Sequence, residues 1–265
     1  MSDPVLVLRN ISHRYEESGW SLHVPLLEIK KSEFVGIIGP NGAGKSTLLQ
    51  IAAGVLRPDG GAVLLNGRSL SSTARKSAAR TLGFLPQELT SSSDYSVEDI
   101  ARMGRYPYHK GLGGLSGADE DAVDRSLALT DLMDFRRRRL SQLSGGERKR
   151  AFLASVLAQE PEIMLLDEPT GALDIHRQVQ FFRLLRELAD GRMGIVVVTH
   201  DLNLASLFSD RLVLLSGGRP VRSGPPAEVL RSPVLTEVYG RGIFVGTHPQ
   251  VNKPIVLPDQ GGGAA

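Results

Sequence analysis

Residues 39–47 read Gly39-Pro40-Asn41-Gly42-Ala43-Gly44-Lys45-Ser46-Thr47 and match the phosphate-loop pattern Gly-x-x-x-x-Gly-Lys-Ser/Thr. The apolar run at residues 34–38 precedes the loop and predicts a strand, and residues 46–53 follow it with a helical pattern. A strand before the loop and a helix after it are the context that this motif requires. The stretch therefore predicts an α/β domain that binds a nucleotide.

The residue types of the loop fit phosphate chemistry. Glycines let the backbone turn its N–H groups towards the α- and β-phosphates, and the N-terminus of the following helix adds positive potential. The Lys45 ammonium reaches the β- and γ-phosphates, and the Ser46 hydroxyl is placed to bind magnesium. A glycine-rich turn without a ligand is the alternative, which the flanking strand and helix disfavour. We assign nucleotide binding to Gly39, Asn41, Gly42, Gly44, Lys45, Ser46 and Thr47.

Two carboxylates follow a second apolar run. Residues 163–166 read Ile-Met-Leu-Leu and lead directly into Asp167 and Glu168. Open α/β sheets bind ligands at the carboxyl ends of their strands, so we expect Asp167 to hold magnesium through water and Glu168 to polarise the attacking water. A solvated strand end is the alternative for such a pair, and the phosphate loop favours the catalytic interpretation. His200 follows the run at residues 195–198 in the same way and predicts a contact to the γ-phosphate or the water.

Composition excludes several classes of protein. The 265 residues are 41% hydrophobic and 23% charged, which predicts a globular domain. The formal net charge of +2 gives no reason to expect a nucleic-acid partner, and the absence of cysteine excludes disulfides and thiolate metal sites. The other histidines show no ligand spacing, so we assign no transition-metal site. We expect no secretory signal, no membrane span and a cytoplasmic location.

Short apolar runs alternate with helical patterns along the chain. The runs lie at residues 5–8, 34–38, 62–65, 163–166, 195–198 and 212–215. Helical patterns start near Lys45, Gly145, His176 and Asn203. This alternation predicts a three-layer α/β core with a mainly parallel sheet. Residues from about 89 to 160 lack β-branched runs and predict a mostly helical insertion, and the polar end of the chain predicts a flexible tail.

A second glycine-rich turn opens the helix predicted near Gly145. It reads Leu143-Ser144-Gly145-Gly146-Glu147 and offers a second phosphate cradle. The motifs follow in the order phosphate loop, Gln87, residues 143–147, Asp167-Glu168, residues 171–174 and His200. In this order, and across essentially its whole ordered length, the chain resembles the ATP-binding-cassette (ABC) ATPases.

The resemblance implies a P-loop NTPase (RecA-like) α/β core with an antiparallel β subdomain and an inserted α-helical subdomain. Residues 1–88 and 161–258 would form the core with its β subdomain, residues 89–160 the helical subdomain, and residues 259–265 a flexible tail. It also implies that ATP is the nucleotide, that Mg²⁺ is the cofactor and that ATP hydrolysis is coupled to transport.

In the family that the chain resembles, the second turn completes the nucleotide site of another copy, which implies a head-to-tail homodimer. Ser144, Gly145 and Gly146 would contact the γ-phosphate of the partner's ATP, and Asp174 would make a cross-dimer contact. Tyr15 would stack on adenine, with an ordinary half-buried strand residue as the alternative. Gln87 would join magnesium to the interface with a membrane partner and otherwise be a surface turn residue, and His200 would act as the switch.

Several shorter motifs indicate a subfamily. Residues 104–108, 200–205 and 235–240 resemble the stand-alone ATPases that serve importers of iron chelates, haem and cobalamin, although histidine is common where Tyr108 stands. This resemblance implies a separate integral membrane permease, an indirect link to a solute-binding protein, and a peripheral position on the cytoplasmic face of the inner membrane. It leaves the cargo open, and an ABC ATPase for another small solute is the alternative.

Two positions depart from the family pattern, and the motifs disfavour other classes of P-loop protein. Glu147 stands where glutamine is frequent, and Gly171 stands where serine is frequent. A soluble GTPase switch would need an Asn-Lys-x-Asp motif, which residues 252–255 lack, and a kinase does not explain residues 143–147. A non-catalytic scaffold would not need Glu168 and His200. The run at residues 136–139, which consists of four arginines, is interpreted as a solvated face.

Overall fold

The computed structural model describes residues 3–88, 95–109, 114–171 and 173–259. In chain order the strands are β1 (Pro4–Arg14), β2 (Ser21–Lys30), β3 (Phe34–Ile38), β4 (Gly60–Leu65), β5 (Arg68–Ser69), β6 (Leu82–Leu85), β7 (Ile163–Asp167), β8 (Gly194–Val198), β9 (Arg211–Ser216), β10 (Arg219–Gly224), β11 (Ile243–Thr247) and β12 (Pro254–Pro258). The α-helices are α1 (Lys45–Ala52), α2 (Arg75–Ala79), α3 (Val97–Met103), α4 (Gly117–Leu129), α5 (Gly145–Ala158), α6 (Ile175–Asp190), α7 (Leu202–Phe208), α8 (Pro226–Val229) and α9 (Ser232–Tyr239).

A six-stranded sheet in the order β10-β9-β3-β8-β7-β6 forms the centre of the fold. The pairs from β9 to β6 are parallel, and β10 runs antiparallel to β9. The runs predicted at residues 34–38, 163–166, 195–198 and 212–215 form β3, β7, β8 and β9. The prediction of a mainly parallel α/β sheet is therefore confirmed.

Alternate residues of the central strands face two different cores. Val35 and Leu165 belong to the core that contains residues of α1 and of the strands β1 and β2. Phe34 and Met164 belong to the core that contains residues of α5 and α6. A parallel strand with both faces covered reads as a continuous apolar run, which is why the sequence pattern identified these strands. The predicted three-layer arrangement is confirmed.

A smaller sheet in the order β2-β1-β4-β5 is antiparallel throughout. It agrees with the antiparallel β subdomain that the family resemblance implied. Tyr15 follows the last residue of β1, and the turn from Tyr15 to Trp20 is closed by a hydrogen bond from the Tyr15 N–H to the Trp20 carbonyl (2.9 Å). This turn carries aromatic side chains to the edge of the central sheet.

Helices α3, α4 and α5 pack on one another around a separate apolar core, which includes Val97, Val123 and Ala151. Each begins with a capping box. A serine side chain accepts a hydrogen bond from the backbone N–H three residues later, and the acidic side chain of that later residue accepts one from the serine N–H. The pairs are Ser96 with Asp99, Ser116 with Asp119, and Ser144 with Glu147. No strand lies within the described part of residues 95–160. The domain limits at 89 and 160 stay a prediction.

Arg105 joins these helices where α3, α4 and α5 meet. Its side chain is 5% exposed and donates to Asp119 Oδ1 (2.8 Å), Glu160 Oε2 (2.8 Å) and the Ala158 carbonyl (2.6 Å). The guanidinium also lies over the Tyr108 ring, 4.0 Å from its centroid. Hydrogen bonds from Ser116, followed by that from Arg105, lower the pKa of Asp119 to about 2.

The interpretation of residues 136–139 as a solvated face is wrong for Arg136. Its guanidinium binds Glu98 Oε1 (2.8 Å) and Asp124 Oδ1 (2.6 Å), and so ties α3 to α4. The three arginines that follow it are exposed. Sequence spacing shows which carboxylates lie on one face of the same helix, three or four residues apart. It does not show which arginine will lie between two neighbouring helices and bind a carboxylate of each.

Several strands escaped the sequence pattern. The strand β6 is short and contains Gly83, whose missing side chain leaves room for Val156 and Pro161. The hairpin β11–β12 has prolines at both ends of β12, and proline weakens the sequence signal of a strand. Among the described residues, no helix combines the length and the apolar character needed to cross a bilayer. The predicted tail beyond Asp259 lies outside the described residues, as do residues 89–94.

Candidate functional site

The phosphate loop follows β3 and leads into α1, as the sequence predicted. Lys45 is 5% exposed, and its ammonium donates to the carbonyls of Gly39 (2.9 Å) and Pro40 (3.0 Å). Burial lowers the pKa of Lys45, and the nearby charges of Glu168 and Asp167 act in the opposite direction. The loop therefore wraps around a cation that lies beside two carboxylates.

Two glycines of the loop are required by close contacts. A Cβ atom on Gly39 would collide with the Leu215 carbonyl, and one on Gly44 would lie 2.5 Å from Trp20 Cη2. Both residues also have positive φ, 150° and 95°. Side chains at these positions would push the loop away from β9 and from the aromatic turn, so the glycines fix where the loop lies.

Ser46 and Asp167 meet at the base of the cleft, although they lie 121 residues apart in the chain. The Ser46 hydroxyl donates to Asp167 Oδ1 (3.1 Å), and Asp167 is 1% exposed. Burial raises the pKa of Asp167, while the bond from Ser46 lowers it. A hydroxyl and a carboxylate are hard oxygen donors of the kind that Mg²⁺ prefers. These two residues fit the metal predicted from the sequence.

Glu168, Gln87 and His200 converge beside this pair. The Gln87 amide donates to Glu168 Oε2 (2.9 Å), and His200 Nδ1 lies 3.8 Å from the same oxygen. The backbone of Glu168 is left-handed, with φ of 43°. A non-glycine residue in this region costs about 1–3 kcal/mol, and such strain is typical of functional sites. The geometry therefore orients one carboxylate towards the cleft.

The cleft itself is open and has a volume of about 780 Å³. It is lined by Tyr15, Ser18, Trp20, Asn41, Gly42, Gly44, Lys45, Ser46, Thr47, Gln87, Glu168 and His200. On its aromatic side, the Tyr15 hydroxyl lies 3.3 Å from Thr47 Oγ1, and the rings of Tyr15 and Trp20 are 6.0 Å apart. Sequence reasoning missed Ser18 and Trp20. The signal was a tryptophan in a polar turn near the predicted adenine contact.

The remaining predicted residues lie outside this cleft. Ser144 and Gly145 are exposed at the start of α5, where Ser144 accepts the Glu147 N–H (3.3 Å). The Ser144 N–H donates to Glu147 Oε2 (2.7 Å), a bond that lowers the pKa of Glu147. Asp174 is exposed at the start of α6 and accepts the Arg177 N–H (2.9 Å). Within one chain, the structure does not bring these residues to the phosphate loop.

Comparison with known proteins adds the family. The model of the ABC transporter family matches residues 22–171, which is more than half of the chain. The chain belongs to the ABC transporter family. The match includes the phosphate loop, Gln87, the Ser144 turn and the Asp167-Glu168 pair.

Relatives with curated names match this chain in sequence over most of their length. A hemin import ATP-binding protein, HmuV of Streptomyces coelicolor, is 42% identical over 232 residues, which are 88% of this chain and 82% of the relative. A probable siderophore transport system ATP-binding protein, YusV of Bacillus subtilis, is 40% identical over 233 residues, with coverage of 88% and 85%.

Solved structures give the same result. An inward-facing transporter described as metal-chelate type matches with a TM-score of 0.83 and 27% identity over 97% of this chain and 98% of that one. A dimeric ATP-binding cassette in a post-hydrolysis state with ADP and phosphate matches with a TM-score of 0.71 and 30% identity, covering 83% and 98%. These findings confirm the predicted family, the P-loop NTPase fold and the ABC-type activity, ATP hydrolysis coupled to transport.

The ABC fold also places one residue that sequence reasoning did not single out. Lys149, on α5, donates from its ammonium to the Glu168 carbonyl (3.1 Å). Its sequence signal was that of an ordinary helical lysine in a basic stretch. Only the packing of α5 against the end of β7 reveals the contact. The roles of the individual site residues stay predictions.

Proposed function

We propose that this chain is the ATP-hydrolysing subunit of a metal-chelate importer and works as a homodimer bound to a separate membrane permease. The observation that carries the proposal is a half-site. One cleft holds the phosphate loop and the Glu168 carboxylate, while the Ser144 turn is exposed elsewhere. The cargo class, a ferric siderophore, haem or cobalamin type of chelate, is supported by relatives whose names specify hemin import and siderophore transport.

The cleft would hold ATP at three points. Lys45 and the loop N–H groups bind the phosphates, and Tyr15 stacks on the adenine ring. Ser46 and Asp167 would hold Mg²⁺, with Gln87 beside them. When bound, the metal neutralises charge on the β- and γ-phosphates.

Glu168 is the general base of this proposal. Its carboxylate accepts a hydrogen bond from the attacking water, and this bond orients a lone pair of the water oxygen towards the γ-phosphorus. The carboxylate then receives the water proton. The bond from Gln87 and the proximity of His200 keep Glu168 Oε2 at the cleft. The nucleophilic oxygen bonds to phosphorus as the bond to the β–γ bridging oxygen breaks, which yields ADP and phosphate.

A second copy completes the site. The start of α5 offers the Ser144 hydroxyl and the N–H groups of Gly145 and Gly146, and Ser144 and Gly145 are exposed there, which suits the γ-phosphate of a nucleotide held by the partner. The dimeric cassette in a post-hydrolysis state supports such an assembly for this fold. Hydrolysis would then occur only when two copies come together around the nucleotide.

A groove beside Gln87 suits the permease. It has a volume of about 420 Å³ and lies between β6, α3 and α5, and it includes Leu85, Met103 and Tyr106. Met103 is 45% exposed and Tyr106 is 65% exposed, so apolar surface is available at the rim. We infer that a cytoplasmic segment of the permease docks here, at the membrane surface. The segment from Gln87 to Tyr108 would carry the closing motion to it.

Uptake by living cells tests the proposal. A strain that lacks this chain is complemented with the wild type or with Glu168→Gln, and uptake of labelled ferric siderophores, haem and cobalamin is measured. We expect the wild type alone to restore uptake of one of these chelates. Restored uptake of a sugar or an amino acid, with the chelates unchanged, would show that the cargo class is wrong.

A further inference from the structure

Lys149 connects the helix that starts at Ser144 with the carboxylate-bearing turn after β7. Its ammonium lies 3.1 Å from the Glu168 carbonyl, in a part-buried environment. Burial lowers the pKa of Lys149, while the charge of Glu168 acts against that change. The contact therefore takes the ammonium partly out of water and directs one of its N–H groups to a backbone carbonyl.

The acceptor belongs to a strained residue. Glu168 adopts a left-handed backbone with φ of 43°. Its N–H donates to the Val198 carbonyl (3.0 Å), and its carbonyl accepts from Lys149 and, at 3.4 Å, from the Gly171 N–H. The bond from Lys149 is shorter than the one from Gly171. Because strained conformations persist only where the surroundings hold them, Lys149 is one of the groups that keep Glu168 in place.

The same helix contacts the loop after Glu168 at a second point. A Cβ atom on Gly146 would lie 2.7 Å from Leu173 Cδ2, so α5 approaches this loop as closely as a glycine allows. Gly146 and Lys149 lie three residues apart and share a helix face. The first turns of α5, together with Glu168, Gly171 and Leu173 of the loop after β7, therefore form one packed unit.

In the proposed homodimer, this unit would lie between two nucleotides. Ser144 precedes Lys149 by five residues, which corresponds to about 7.5 Å along a helix axis. In the homodimer proposed above, on which this inference rests, Ser144 contacts the partner's nucleotide while Glu168 acts on the nucleotide of its own chain. Helix α5 is a rigid connection between them.

We propose that Lys149 is a positioning residue that holds the Glu168 backbone and transmits occupancy of the Ser144 turn by the partner's nucleotide to the carboxylate of its own site. Without the ammonium, Glu168 keeps its side chain but loses the bond that links it to α5. The two sites of the dimer would then hydrolyse ATP slowly and independently.

Replacement of Lys149 by methionine tests this role, because methionine keeps an unbranched apolar stem and removes the donor. We expect Lys149→Met to lower kcat by about tenfold or more while the affinity for the fluorescent analogue TNP-ATP stays within about twofold. The Hill coefficient for ATP should fall from above 1 to about 1, because the two sites are no longer coupled. A purely structural loss would not remove cooperativity selectively.

Lys253 provides a matched control in the same chain. It is also half-buried, with its pKa lowered by burial, and its ammonium donates to the Leu207 carbonyl (2.9 Å) away from the cleft. Lys253→Met should change thermal stability but leave kcat and the Hill coefficient unchanged. Lys149→Arg, which restores a cationic donor, should recover most of the cooperativity.

The outcomes separate the two proposals. If Lys149→Met keeps kcat and the Hill coefficient of the wild type, the positioning role is wrong. If that variant does not fold, Lys149→Arg decides, and a folded Arg variant without cooperativity overturns the inference. A wild-type chain that hydrolyses ATP while it stays monomeric at every concentration tested would overturn the homodimer, and the role of Lys149 with it. An intact dimer dependence with an unaffected methionine variant overturns Lys149 alone.

Discussion

The proposed hydrolysis depends on the carboxylate of Glu168 as the acceptor of the water proton. Glu168→Gln keeps the size of the side chain and an amide able to hydrogen-bond Gln87, but it removes the proton acceptor. We expect kcat to fall by about 10²–10⁴-fold, because general-base catalysis contributes that much. ATP binding should persist, so an ATP-bound dimer should accumulate and elute early in size-exclusion chromatography.

Glu162→Gln is the control, since Glu162 forms a surface ion pair with Lys31 (2.6 Å) away from the cleft. Its rate should remain within about twofold of the wild type, because exposed pairs contribute little. Near-normal hydrolysis by Glu168→Gln would remove Glu168 from the mechanism.

Tyr15 allows the adenine contact to be tested by itself. Tyr15 is 41% exposed and lines the cleft, and its hydroxyl lies near Thr47. Stacking of a base on an aromatic ring contributes about 1–3 kcal/mol, so Tyr15→Ala should weaken ATP binding by about 5–150-fold. Tyr15→Phe keeps the ring and should bind as the wild type does. Equilibrium titration with TNP-ATP distinguishes the two, and equal affinities for all three proteins would exclude stacking by Tyr15.

At the scale of the elements, the start of helix α4 predicts a defined response to acid. The folded pKa of Asp119 is about 2, below its ordinary 3.8, so the charged carboxylate stabilises the folded state. This contribution, about 1–2 kcal/mol, is complete above about pH 5 and is lost as the pH falls from about 4 to 2. Urea unfolding of the wild type and of Asp119→Asn should therefore show a stability difference that shrinks over this range. A difference that stays constant from pH 6 to pH 2 would contradict the assignment.

The sequence could predict the elements that carry their own signal. The strand at residues 34–38 was identified to the residue, because it is apolar on both faces and followed by an unmistakable loop. The strand β6 was not, because a four-residue run containing glycine resembles any loop, and only its pairing with β7 makes it a strand. Long-range pairing has no local signature.

The same division holds for the site. The phosphate loop and Asp167 lie at the carboxyl ends of β3 and β7, at the ligand edge of the sheet, so the contact between Ser46 and Asp167 was predictable from topology. Lys149 was not predictable, because its bond to Glu168 depends on how closely α5 approaches the loop after β7. That approach depends on Gly146, which sequence reasoning assigned to phosphate binding.

At the scale of the whole molecule, a half-site predicts that two defective copies can repair each other. Lys45→Ala disables the phosphate loop, and Ser144→Arg disables the turn offered to the partner. Each variant alone should be inactive. In an equal mixture, half of the dimers are mixed and each has one intact composite site, so about one quarter of the wild-type activity should return.

ATPase measurements on the separate and mixed proteins check this expectation, with a mixture of Lys45→Ala and Glu168→Gln as the control. Those two changes affect residues of the same half-site, so every composite site in their mixed dimers is defective. An inactive mixture of Lys45→Ala and Ser144→Arg, from proteins that still dimerise, would argue against composite sites.

The capping boxes of α3, α4 and α5 have a consequence for how the chain acquires its structure during synthesis. Each box stabilises a helix start with residues only three positions apart, so these helix starts are favoured by local contacts. The central strand β3, in contrast, pairs with β8 and β9, which the ribosome delivers more than 150 residues later. We expect the helices between them to fold first. The central sheet then completes its strand pairing last, with these helices already formed at its edge.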